Sequence, residues 1–369
     1  MIREEINEIK KQFNKDTNVI TKYAGCYVDA EKNIKFMTKD AFYSLPEEDA
    51  FKYEEIFRKT LSGAVGKSLI TLDFSIDEEG EDTPHAFLMK LRESRLDDEL
   101  ILDEFFRKVI DAYEYAENYY IILVDMMYDI PGKSSDKLAM EDASNEVYHG
   151  LLCSICPVTL SKPALSYFAN EGVIANRIRD WIVGMPMHGF LFPAFTDRTT
   201  DIHAALYFSK KNDALNESFI NEIIGVNPPM SSVMQKETFE AVLYDVLRDE
   251  LTMPVMSALS SNMLDLIAEN SQNPEPLVLT KNDMVKLISK SGVSDEAVES
   301  YEKSADADIE VLADNVVDTK KFEVKTPGIT VKTDTDSIEK LETRVIDGRK
   351  YLLVPIEDDV EVNGMPVKA

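Results

Sequence analysis

Histidine and cysteine are scarce, four and three in 369 residues, so few side chains suit the usual zinc, iron or redox sites. A small, odd cysteine count also argues against a disulfide framework and fits a reducing compartment. Long hydrophobic runs are missing too. The longest purely apolar stretch is around "IILV" (121–124), far short of the ~18 residues of a membrane span. Basic clusters are equally thin, with no run of five or more. Against 68 Asp+Glu stand 40 Lys+Arg, for a formal charge of -28. That charge favours solubility and opposes other polyanions, so any nucleic-acid contact is expected to be weak and salt-sensitive. The opening "MIREEINEIKKQF" sets Ile2, Ile6, Ile9 and Phe13 on one helical face and has neither the apolar run nor the cleavage site of a signal peptide. A cytoplasmic chain without a membrane partner is expected.

What is present describes an ordinary folded protein, 44% hydrophobic and 29% charged, long enough for two domains or two and an appendage. "VITKYAGCYVDAEKNIKFMTKDAFYSL" alternates as two strands turning near Glu31 to Asn33, with Ile20, Ala24, Cys26 and Val28 on one face. Helices are expected from Pro46, from Pro84 and from Asp97, the last with Leu100, Ile101, Phe105, Val109 and Ala112 on its apolar side. From Tyr119 short apolar runs broken by Pro, Gly and Asp read as strands of one mostly antiparallel sheet. "GVNPPMSS" (225–232) then punctuates the chain before a helical stretch, and "IDGRK" marks a hairpin near the end. The expected class is α+β. Its expected divisions are an N-terminal α+β domain (1–226), a helical segment (227–292) and a small C-terminal α/β unit (293–369).

Three stretches invite a chemical reading. "HGLLCSICPVTL" (149–160) holds a C-x-x-C, but in a strand Cys153 shares a face with Leu151 and Ile155 while Cys156 points away. Buried thiols are the expectation, with no metal and no cofactor. "GAVGKS" (63–68) resembles the end of a phosphate loop. Leu61 occupies the place of its first glycine, and Gly63 reads as the C-cap of a helix. "FPAFTDRTTDIHAALYF" is the strongest polar constellation. Here "DRTT" forms a turn with Asp197 suited to an Asx turn, and Asp201, His203 and Tyr207 share one face of a half-exposed strand opposite Ile202, Ala204, Leu206 and Phe208. Asp197, Arg198, Asp201 and His203 could together bind a metal or share a proton, as a hydrolase or phosphoesterase needs. Arg177, Arg179 and Asp180 of "NRIRDW" could face the same region. The structural alternative is a turn ion pair and a hydrogen-bonded histidine, with no catalytic residue.

"AGCYVD", "FRKTLSG", "LLCSICPV", "NRIRDW", "FLFPAFTDR" with "TDIH", and "ETRVIDGRKYLLVPI" together resemble an uncharacterised domain-of-unknown-function family of anaerobic Gram-positive bacteria, over nearly the whole chain. That resemblance implies a cytoplasmic bacterial protein with no assigned activity, so no catalytic residue is carried over. "KKFEVKTPGITVKTD" and "VIDGRKYLLV" are similar to the C-terminal strands of bacterial nucleoid-associated proteins. The expected function is a non-catalytic cytoplasmic binding or assembly protein, nucleoid- or nucleic-acid-associated, whose partner is another protein or a second copy. The alternative is the metal-dependent hydrolase at the Asp197 to His203 turn.

Overall fold

The computed structural model describes the chain apart from residues 18, 134–138, 141–145, 212–214, 305–306, 308, 357–359, 364 and 368–369. Two compact units result, Met1–Ser231 and Ser232–Ala369. The fold is α+β, and an antiparallel sheet dominates the first unit.

Seven strands form the main path of that sheet: β1 (Ile20–Val28), β2 (Ile34–Ala41), β3 (Leu69–Asp73), β4 (Tyr119–Ile130), β5 (Glu146–Leu160), β6 (His188–Phe192) and β7 (Ala204–Ser209). Their spatial order is β2-β1-β4-β5-β6-β7-β3, every neighbour antiparallel, with Trp181–Val183 added to the far end of β5. Helices cover both faces. Helix α1 (Arg3–Lys11) and helix α2 (Glu47–Thr60) bury Ile6, Ile9, Ile56 and Phe57 against Ile122, Leu152, Leu206 and Phe208. On the other face α3 (Pro84–Glu93) and α4 (Glu99–Ala112) bury Leu88, Leu91, Phe105 and Val109 against Ile121, Leu151, Phe190 and Tyr207. Each such apolar side chain contributes about 1.5–3 kcal/mol when fully buried. The sheet is therefore packed between two apolar layers. Gly189 serves this packing, because a Cβ there would sit 2.3 Å from the Cys153 carbonyl and 2.7 Å from Thr60 at the end of α2.

Double coverage corrects the half-exposed strand. Tyr207 is completely buried in the α3/α4 layer, and Ile202 and His203 form a turn before β7 rather than part of it. A bulge corrects β1 as well: the register with β4 shifts between Ile20 and Lys22, so Ile20 joins the α1/α2 layer while Ala24, Cys26 and Val28 join the other. Leu100 is 83% exposed, since two residues before Leu102 puts it about 160° round the helix from the buried stripe. Helix α2 ends at Thr60 with Leu61 as its cap, so Gly63 is two residues beyond and does not cap it.

The second unit opens with helices Ser232–Leu247, Met253–Glu269, Lys281–Ser289 and Asp295–Lys303 around a core that includes Leu243, Leu259, Leu287 and Tyr301. Among the described residues, antiparallel pairs follow: 321–326 with 329–334, 342–346 with 349–353, and 360–362 with 365–367. "IDGRK" turns as expected, with Asp347 and Gly348 both at positive φ.

Candidate functional site

The polar hairpin pairs Ala194–Thr196 with Thr199–Asp201, and a cis peptide at Phe192–Pro193 joins it to β6. Its turn is "DR" alone. Asp197 and Arg198 take φ of 53° and 58°, the two left-handed positions of a tight hairpin. Helix α1 receives this turn. The Asp197 N–H donates to Glu5 Oε1 at 2.6 Å, and the Arg198 guanidinium reaches both Glu8 oxygens, Nε to Oε2 at 2.9 Å and Nη2 to Oε1 at 2.7 Å. Nη2 also donates to the Pro131 carbonyl, and Tyr128 donates to the same Glu8. The carboxylate raises the guanidinium pKa. Arg198 is thus committed to a bidentate pair.

Asp201 and His203 make different contacts. Asp201 Oδ1 accepts the His203 N–H at 3.1 Å, and His203 Nδ1 lies 2.7 Å from Glu79 Oε1 on the acidic 77–82 loop. That carboxylate raises the pKa of the exposed imidazole. The Asp197 N–H and the Arg198 side chain therefore meet helix α1, while His203, its N–H held by Asp201, meets Glu79. Arg198 and His203 thus bind different carboxylates, Glu8 and Glu79.

Arg177, Arg179 and Asp180 lie elsewhere. They precede Trp181–Val183, which pairs with Val158–Leu160, whereas the hairpin follows Phe192, which pairs with Leu151. Seven residues of β5 separate the two places, about 24 Å of strand. Residues 165–168 and 173–176 form a second hairpin there. This stretch, 162–185, is an arm. Leu165, Tyr167, Ile174, Ile178 and Trp181, the chain's one tryptophan, are 55 to 71% exposed on it.

The cysteines behave as strand residues. Cys153 belongs to the α3/α4 layer and Cys156 to the α1/α2 layer, both with no exposure, and burial pushes both thiols well above their ordinary pKa. Cys26, likewise buried, is pushed up to about 12. Neutral thiols of this kind are poor nucleophiles and poor ligands. The "GAVGKS" stretch runs from a helix into a strand, the reverse of the strand-to-helix order a phosphate loop needs. Among the described residues no group of three or more His, Cys, Asp or Glu is placed to hold a metal ion, and no helix is long and apolar enough to cross a membrane.

One buried pair escaped sequence reasoning. Asp125 on β4 has no solvent exposure, and its Oδ1 lies 2.6 Å from His149 Nε2 on β5. Thr21, at the β1 bulge, donates to Oδ2, and Arg92 Nε donates to the His149 carbonyl at 2.7 Å. Burial lowers the Arg92 pKa. The signal was an acid standing inside the apolar run "YYIILVDMM", but its partner is 24 residues away across the β4–β5 register. A carboxylate-held histidine can orient a proton acceptor, yet Asp125 itself is sealed in the sheet layer. The arrangement ties three strands together.

No curated protein matches the chain. A family model described as a domain of unknown function, DUF4317, matches residues 1–365, almost the whole sequence, and the chain belongs to that family.

Proposed function

We propose that this is a non-catalytic binding or assembly protein of the bacterial cytoplasm, and that its contact surface is the 162–185 arm. The observation that carries the reading is the apolar exposure of that arm. Leu165, Ile174 and Ile178 are each about 70% exposed, and Tyr167, paired with Ile174 across the hairpin, is 66% exposed. Exposed apolar side chains grouped on one segment mark interaction sites. The polar hairpin supports the same reading, since Arg198 is paired with Glu8 and His203 with Glu79. Two of the four lysines of "KKFEVKTPGITVKTD", Lys325 and Lys332, share one carboxylate, Glu323, at 2.8 and 3.2 Å.

The test compares the intact chain with a Tyr167→Ser, Ile174→Ser, Trp181→Ser variant by chemical cross-linking, purified and in lysate. A stoichiometric complex that forms with the intact chain and is lost in the variant is the expected result. Identical products from both, together with a phosphoester hydrolysis abolished by Asp201→Ala and His203→Ala, would replace this reading with the hydrolase.

A further inference from the structure

We infer that the arm is received by a second copy of this chain, in an acidic, aromatic cleft at the start of α2. The inference rests on the binding reading above and names its partner. The cleft has a volume of about 760 Å³ and is walled by Phe42, Tyr43, Leu45 and Phe51. Tyr43 is 60% and Phe51 46% exposed, so these rings are open to an occupant. Charge defines which occupant fits. Asp16, Glu47 and Glu48 line the cleft against Lys15 and Lys52, while the fourth acid, Glu54, is nearly buried and paired with Arg58 at 3.5 Å.

The arm has the complementary character. Over residues 162–185 it carries Lys162, Arg177 and Arg179 against Glu171 and Asp180, three cations to two acids, in a chain of formal charge -28. Its two arginines flank exposed Ile178 and precede exposed Trp181, so basic and apolar groups arrive together. Phe51 already accepts cations at its ring, with Lys52 Nζ 5.3 Å and Arg58 Cζ 5.6 Å from the centroid. That ring already holds two cations, so an incoming guanidinium is met instead by the carboxylates of Asp16, Glu47 and Glu48. The arm's side chains are exposed on their own chain, so they do not fill its own cleft. Each copy holds one arm and one cleft, and reciprocal exchange closes a two-fold dimer.

Charge reversal tests this with two variants of the full chain, Arg177→Glu with Arg179→Glu, and Glu47→Lys with Glu48→Lys. The first has an acidic arm and an acidic cleft, the second a basic arm and a basic cleft. Sedimentation velocity of the unaltered chain is expected to show a dimer, and each variant alone to dissociate roughly tenfold or more easily. An equimolar mixture is expected to restore the dimer as a one-to-one heterodimer, because both arm–cleft contacts are again between opposite charges. That restoration also shows that neither variant is merely unfolded. A monomeric unaltered chain, or variants that self-associate normally, or a mixture that stays monomeric, overturns the inference. If association survives both reversals but is lost with Tyr167→Ser, Ile174→Ser and Trp181→Ser, the cleft assignment falls and the binding reading stands. If it survives all of these, both fall.

Discussion

A carboxylate with no solvent exposure depends on its partners, and Asp125 has His149 and Thr21. Replacing His149 with alanine leaves that group short of a hydrogen bond in a sealed layer. We expect a loss of about 3 kcal/mol, against a smaller loss for His149→Gln, which still offers a donor. Urea unfolding of both variants decides it, and equal losses would show that packing rather than the hydrogen bond matters at this position. His188 is the opposite case, a ring held neutral. Burial, with Lys211 adding to it, lowers its pKa to about 4, and Tyr113 sets its hydroxyl 2.8 Å from Nδ1. The unfolded chain takes up that proton near pH 6.5 and the folded chain only near 4. Stability should therefore fall as pH drops between those values, by up to about 3 kcal/mol, and level off below. His188→Gln is expected to flatten that stretch of the pH profile of unfolding, and an unchanged slope would assign it to other groups. His203 acts with the other sign, its pair with Glu79 strengthening stability below its raised pKa and fading as pH rises through it.

Among elements, the 194–201 hairpin separates packing from polar decoration. Leu206, on the strand that follows it, is 1% exposed between helices and sheet, and Leu206→Ala is expected to cost about 2–5 kcal/mol. Asp201→Ala with His203→Ala should change the urea midpoint little, since His203 is 65% exposed. Arg198→Ala lies between them, at about 1 kcal/mol, because the bidentate Glu8 pair is only about a fifth exposed. A polar double variant as damaging as Leu206→Ala would mean that the loop contact, not the layer, holds this corner. Period-two alternation made the strand elements legible in the sequence, and it placed Cys153 and Cys156 on opposite faces correctly. It misplaced Ile20, because a bulge shifts parity without a distinctive residue to announce it. The polar face assigned to Tyr207 failed for another reason: whether a sheet is covered once or twice depends on distant helices, not on the strand itself. The Asp125–His149 pair was hidden for the same reason of distance.

At the scale of the whole molecule the arm was the least legible feature. The short strands in "LSYF", "GVIAN" and "DWIV" were not assigned from the sequence, and nothing local says whether a layer of the first unit covers them. Net charge was legible, and it sets an expectation for nucleic acid. Any duplex binding should weaken steeply between low and physiological salt, as measured by titration at two concentrations, and tight, salt-insensitive binding would contradict it. The division at Ser231 leaves the sheet and the arm in one unit and the C-terminal strand pairs in the other. The arm's part in assembly can be read without a label, because Trp181 is the chain's one tryptophan and is 55% exposed. The decisive measurement is its fluorescence and acrylamide quenching across a dilution series of the unaltered chain. A blue-shifted, protected Trp181 at high concentration that becomes red-shifted and quenchable on dilution is the predicted result, and a tryptophan equally exposed at every concentration would contradict it.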